Sequence, residues 1–224
     1  MQFDIPDRIA KANPDAGHVA QIRRVMIDMA TPVQALPSNG AMMLFVVGCF
    51  VILAALLAAP FGFYGFEKLS AGSAVTEYAV VLLLASVLAG GAVEQMIPGS
   101  RRVIQPVAGV LVAISLLSGS ASLLFPDFST HEFIRRGIPC LRLGMLCAMA
   151  AGVLVALAMR RGFVTDAVQA AITCGALSGL LGVGVLALHC PILNAAHIIS
   201  WHVSVVAVTS VVGALVGGRL SRLR

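Results

Sequence analysis

Between Leu188 and His202 lie three of the chain's five histidines, one of its five cysteines and its only tryptophan. The order is Leu188-His189-Cys190-Pro191-Ile192-Leu193-Asn194-Ala195-Ala196-His197-Ile198-Ile199-Ser200-Trp201-His202. Imidazole and thiolate are borderline-soft ligands. His189, Cys190, His197 and His202, with Cys140 earlier in the chain, therefore offer a donor set suited to zinc, cadmium or copper. Two thiols in an oxidising compartment can also join as a disulfide. No Cys-x-x-Cys occurs, so the usual signature of a thiol oxidoreductase is missing. The spacing repeats no ligand motif, and His202 beside Trp201 equally suits an aromatic belt at a membrane surface. A functional Cys/His cluster and a structural rim both stay open on these residues alone.

The elements that must position this cluster are membrane spans. The chain has 224 residues, is 59% hydrophobic and only 11% charged, against roughly 25% charged residues in a soluble domain. No Lys, Arg, Asp or Glu occurs between Asp166 and Arg219. Six apolar runs predict helices near Met42–Phe63, Ser73–Val93, Val103–Phe125, Ile138–Met159, Ala167–Leu188 and Ser200–Gly218. Each is long enough to cross about 30 Å of hydrocarbon, where a helix satisfies its own backbone hydrogen bonds. The expected fold is an all-α bundle of six transmembrane helices, with residues 41–224 as the membrane domain and residues 1–40 as a short helical segment before it.

Charge sets the expected orientation. With the N-terminus inside, eleven basic residues fall on cytoplasmic segments: Arg8, Lys11, Arg23, Arg24, Arg101, Arg102, Arg160, Arg161, Arg219, Arg222 and Arg224. Lys68, Arg135 and Arg136 fall outside, and Arg142 lies within the fourth span. This bias places both termini in the cytoplasm and the Cys/His stretch at the outer surface, with Cys140 at the outer start of span four. The net charge of +5 then reflects cytoplasmic loops, and no direct nucleic-acid binding follows from it. Glu77 and Arg142 lie about one turn inside the outer boundary and are expected to face the bundle interior, where they can pair. Cys49, Cys147 and Cys174 fall mid-span and act as small apolar side chains. Gly175 with Gly179, and Gly213 with Gly217, have the small-xxx-small spacing of close helix packing.

Pro14 and Pro32 bracket a helix from about Asp15 to Ala30 in the N-terminal segment. Its Val19, Ile22, Met26 and Met29 recur at spacings of 3, 4 and 3 and form one narrow apolar stripe. The charges around it are balanced. It is therefore a poor ligand for anionic lipid and suits the groove of a protein partner.

A family resemblance is carried by residues 138–224. Gly175-Ala176-Leu177-Ser178-Gly179-Leu180, Leu188-His189-Cys190-Pro191, Trp201-His202 and Gly213-Ala214-Leu215-Val216-Gly217-Gly218-Arg219-Leu220 resemble the C-terminal half of the NrsF family of bacterial six-span membrane anti-sigma factors. Cys140 sits where that family's other outer cysteine occurs, although Ile138-Pro139 precedes it in place of a Trp. The resemblance implies a multi-pass protein of the bacterial inner membrane that is a regulator and not an enzyme. It implies that an extracytoplasmic-function sigma factor is held by the N-terminal segment, and so by the stripe Val19, Ile22, Met26 and Met29. It implies release in a stress response when Cys140 and Cys190, the sensor thiols, meet a heavy metal or an oxidant. No resident cofactor is expected beyond a transient soft metal ion as the signal. Spans four and five, joined by Arg160-Arg161-Gly162, should lie side by side and bring Cys140 to Cys190, with His189 and His202 nearby. Two other classes compete: a membrane thiol or quinone oxidoreductase, and a small metal transporter. The first would need an accessible low-pKa cysteine and a cofactor pocket. The second would need polar residues or broken helices near the bilayer midplane.

Overall fold

The computed structural model describes residues 39–96, 105–130, 133–159, 164 and 166–222, together with Gln21, Arg24 and Val25. The chain divides into two units, Met1–Pro37 and Ser38–Arg224. In the first unit, Gln21, Arg24 and Val25 are helical and exposed. Val19, Ile22, Met26 and Met29 lie outside the described residues, as do Arg101, Arg102, Arg160 and Arg161 of the short connections.

Among its described residues the second unit is helical, without strands. In chain order its helices are α1 (Asn39–Ala58), α2 (Tyr64–Lys68), α3 (Ala71–Met96), α4 (Pro106–Leu124), α5 (Phe133–Met159), α6 (Ala167–His189) and α7 (Ala195–Ser221). Six of them are long and apolar enough to cross a membrane, and α2 is a five-residue helix that the hydropathy pattern did not announce. Local chemistry sets several ends. Asp166 caps α6 by accepting from Val168 N at 3.1 Å and Gln169 N at 3.0 Å, satisfying two donors that a helix start leaves open. Pro106 opens α4 at a position where a missing N–H costs nothing. Gly62 turns the chain after α1 with φ 86°, a conformation that side chains with a Cβ rarely adopt.

The ends of two spans differ from the expectation. Helix α5 starts at Phe133 rather than Ile138 and carries Pro139 inside it. Pro139 supplies no N–H for the bond to the fourth residue back, and near a helix start the loss of one such bond is tolerated. Helix α7 starts at Ala195 rather than Ser200, because Asn194 caps it by accepting from His197 N at 3.0 Å.

Helix α6 is the axis of the bundle. Every residue from Gly175 to Ala187 is buried, which suits a helix that is apolar on all sides. Inside a bilayer, lipid is as apolar as leucine, so close packing must hold the helices together. Glycines provide it reciprocally between α6 and α7. A Cβ on Gly175 or Gly179 would strike the α7 backbone at Thr209 or Val206, and one on Gly213 or Gly217 would strike α6 at Ala171 or Ala167. Gly182 meets the backbone of Gly144 on α5 in the same way. The hydroxyls in this interface satisfy themselves locally: Ser178 Oγ donates to Gly175 O at 2.9 Å and Thr209 Oγ1 to Val205 O at 2.7 Å. The outward faces remain apolar, with Leu44, Phe45, Ile52 and Leu56 on α1, Leu154 and Leu157 on α5, and Val211 and Leu215 on α7 all exposed. An apolar surface of this extent calls for lipid around it.

Glu77 and Arg142 were both expected to face the bundle interior, and only Glu77 does. Arg142 faces outward and is exposed, while Glu77 Oε2 is buried without a hydrogen-bond partner. Which way each side chain faces is decided by the rotation of its helix, and its place along the chain does not report it.

Candidate metal and thiol centre

Cys140, Cys190, His197 and His202 converge at one end of the bundle. Pro191 disfavours helical geometry at the residue before it, so α6 stops at His189 and Cys190 takes an extended conformation, φ −76° and ψ 117°. Its N–H still bonds Leu186 O at 2.7 Å, which fixes the residue against the helix end. Cys140 comes from α5, two turns after that helix begins. The two sulfurs are 3.4 Å apart.

The histidines come from α7, and its second turn is unusual. Residues Ile198–Val203 form a π-helical turn. In an α-helix two side chains five residues apart point about 140° away from each other. The wider π turn returns His202 to the face of His197, and the rings stand edge to face with centroids 5.2 Å apart. His197 Nε2 lies 3.6 Å from Cys190 Sγ. Ligand atoms of Cys140, Cys190, His197 and His202 all lie within 4.8 Å of one another. Cys190, His197 and His202 are buried and Cys140 is half-buried.

A belt of hydrogen bonds holds this geometry from above. Ala195 N donates to Asp127 O at 2.8 Å, and Asn194 Nδ2 donates to Ser129 O at 3.1 Å and Ser129 Oγ at 3.0 Å. Ser129 N in turn donates to Asp127 Oδ1 at 2.9 Å. Asn194 therefore caps α7 and ties it to the α4–α5 connection at once. These bonds, led by the Ser129 N–H, hold the Asp127 carboxyl below the usual carboxylate range. From the side, Trp201 lies flat against Gly137, where any Cβ would fall inside the indole, and packs on Phe133 at 5.2 Å between centroids. A polar cavity of about 240 Å³ opens beside the cluster, with Asp127, Arg136 and Asn194 in its wall and His197 shared with the four-residue set.

His189 is not part of the set. It turns the other way, with Nδ1 3.2 Å from Gly62 O and its ring edge against Phe61 and Tyr64, each at 5.9 Å. It pins the turn after α1 to the end of α6, helped by Gly65, whose backbone sits directly on the carbonyls of Ala187 and Cys190. Cys147 is buried in the core, Cys174 Sγ lies 3.5 Å from Gly152 O, and Cys49 faces outward.

The donor chemistry fits a soft divalent ion. Zinc–sulfur and zinc–nitrogen bonds of about 2.3 and 2.0–2.1 Å put tetrahedral ligand edges at about 3.3–3.8 Å. The 3.4 Å and 3.6 Å separations already fall in that range. His202 Nε2 is buried without a hydrogen-bond partner, an arrangement that costs free energy unless something occupies the nitrogen. Contact with Cys140 and burial together push the Cys190 thiol above its ordinary range. At neutral pH it is therefore a protonated thiol that a metal must deprotonate.

Residues 27–223 match the family model described as negative regulator of sigma F, NrsF. The chain belongs to the NrsF family. A search of the curated proteins and one of the solved structures returned no match. In this NrsF-family chain the match runs from inside the N-terminal segment through α7, so it covers the thiols, the histidines and the glycine-packed helices together. The residues that sequence reasoning left out are the supports: Asp127, Ser129, Gly137 and the π turn. Asn194 three residues before His197 was a legible cap signal; a π turn leaves no comparable mark.

Proposed function

We propose that this NrsF-family protein is an anti-sigma factor of the bacterial inner membrane with both termini in the cytoplasm. Its N-terminal segment, residues 1–40, sequesters an extracytoplasmic-function sigma factor on the stripe Val19, Ile22, Met26 and Met29. The Cys140/Cys190/His197/His202 centre faces the periplasm and takes up the stress signal, a soft metal ion or an oxidant.

The observation that carries this reading is the coincidence of a sigma-regulator family with a four-residue soft-ligand centre, three of its residues buried, at one end of the bundle. Helix α1 has 20 residues and so spans about 30 Å. Its far end abuts the turn that His189 holds beside the centre, and its Asn39 end receives the N-terminal segment. The centre and the segment's attachment point are thus separated by about the thickness of a bilayer core. The interlocked α6 and α7 provide a stiff connection across that distance. A signal can change sigma binding only if the bundle has two arrangements with different affinities for it. A difference of about 1.4 kcal/mol suffices for a tenfold change.

The test is co-purification of the full-length protein with candidate sigma factors. Burying one Ile or Met-sized side chain contributes about 1.5–3 kcal/mol. The double substitution Ile22→Asp and Met26→Asp should therefore abolish co-purification and leave the regulon on without stress. Undiminished binding by that variant would sink the docking reading.

A further inference from the structure

The sulfur separation lies between two end points. A disulfide requires about 2.05 Å, so oxidation must draw Cys140 and Cys190 together by more than an ångström from 3.4 Å. Tetrahedral zinc places two sulfurs at about 3.8 Å, so a metal spreads them by a few tenths. The partners differ as well. A disulfide joins α5 to the end of α6 and makes no demand on α7. A four-ligand metal also takes His197 and His202, both on α7, and His202 Nε2 is the buried nitrogen without a partner.

We propose that the centre has two mutually exclusive occupied states: a divalent soft cation held by Cys140, Cys190, His197 and His202, and a Cys140–Cys190 disulfide that the histidines do not join. In the first, the cation displaces one proton from each thiol, and the sulfurs are spent as ligands. In the second, a two-electron oxidant takes two electrons and two protons from the thiols as the sulfur–sulfur bond forms, leaving no thiolate for the cation. Metal occupancy therefore protects the thiols, and oxidation expels the metal. The two signals also act on the bundle differently, since only the metal engages α7. This rests on the centre being the signal site, but its chemistry is testable without a sigma factor.

The experiment uses the full-length protein in detergent, zinc ion as the metal and diamide as the oxidant; diamide accepts the two electrons and two protons and becomes the hydrazine. Zinc affinity is read by competition with a chromophoric chelator, and thiol oxidation by alkylation and gel mobility. Zinc-loaded protein should resist diamide, and diamide-treated protein should fail to bind zinc until a dithiol restores it. The double variant His197→Gln and His202→Gln should lose zinc affinity by more than about 100-fold, the upper range for losing a mere supporting partner, yet still form the disulfide. Helix content by circular dichroism checks that this variant folds. The wild-type competition decides the matter if it does not. Undiminished zinc binding by the oxidised protein, or unaltered oxidation of the zinc-loaded one, would overturn the proposal. Failure of the wild-type protein to co-purify with any sigma factor would remove the function and leave this exclusivity standing.

Discussion

His197 and His202 are five residues apart in the chain, yet their rings meet edge to face at 5.2 Å between centroids. The π turn Ile198–Val203 makes this possible. Such turns are rare and are found often at functional sites. Inserting an alanine after Ile199 should put the two histidines six residues apart and swing one of the two imidazoles away by about 100°. The expected outcome is a loss of zinc affinity comparable to that of the double Gln variant, measured by chelator competition, with the disulfide still forming under diamide.

Metal binding should strengthen with rising pH. The Cys190 thiol is raised by its contact with Cys140 and by burial, so it remains protonated at neutral pH and must give up its proton to a cation. Affinity then climbs about tenfold per pH unit for each proton released, until the pH passes the folded-state pKa of the thiol. Zinc titrations at pH 6 and pH 8 check the slope; a flat profile would mean that the thiols are not ligands.

Trp201 is the only tryptophan in the chain, which makes its fluorescence a direct report on the site. Its indole is seated on Gly137 with Phe133 beside it. Gly137→Val should push the ring out of its seat, red-shift the emission and weaken zinc binding through the adjacent His202. Gly218→Ala, at a glycine with open space around it, should leave both readouts unchanged.

The glycine interlock should govern stability. Gly179→Leu forces a side chain into the Val206–Thr209 backbone of α7, and overpacking of this kind costs about 1–3 kcal/mol. Thermal unfolding of the detergent-solubilised protein should show a lower midpoint for Gly179→Leu than for wild type, with Gly72→Ala, which meets nothing within 4 Å, close to wild type.

In cells, Cys140→Ser with Cys190→Ser should keep sigma binding and remove induction by metal or oxidant. Cys147→Ser and Cys174→Ser, within the bundle and away from the centre, should still respond. A reporter driven by the released sigma factor distinguishes the two sets.

The six spans and their small-residue helix contacts were legible because both depend on quantities local in sequence: the length of an apolar run, and the spacing of Gly175 with Gly179 and of Gly213 with Gly217. The meeting of Cys140 with Cys190 was also within reach, since antiparallel neighbours with a short connection bring their far ends together. Which histidines would join them was decided by rotation about helix axes. His189, still on the helix, faces Gly62, while Cys190, next along and freed from the helix by Pro191, turns inward. His197 and His202 share a face only because the turn between them is wide, and Arg142 left the bundle interior for a reason of the same kind. Hydropathy and charge report depth in a membrane. The direction in which a side chain faces at that depth depends on how the helices pack, and only the tertiary structure fixes that.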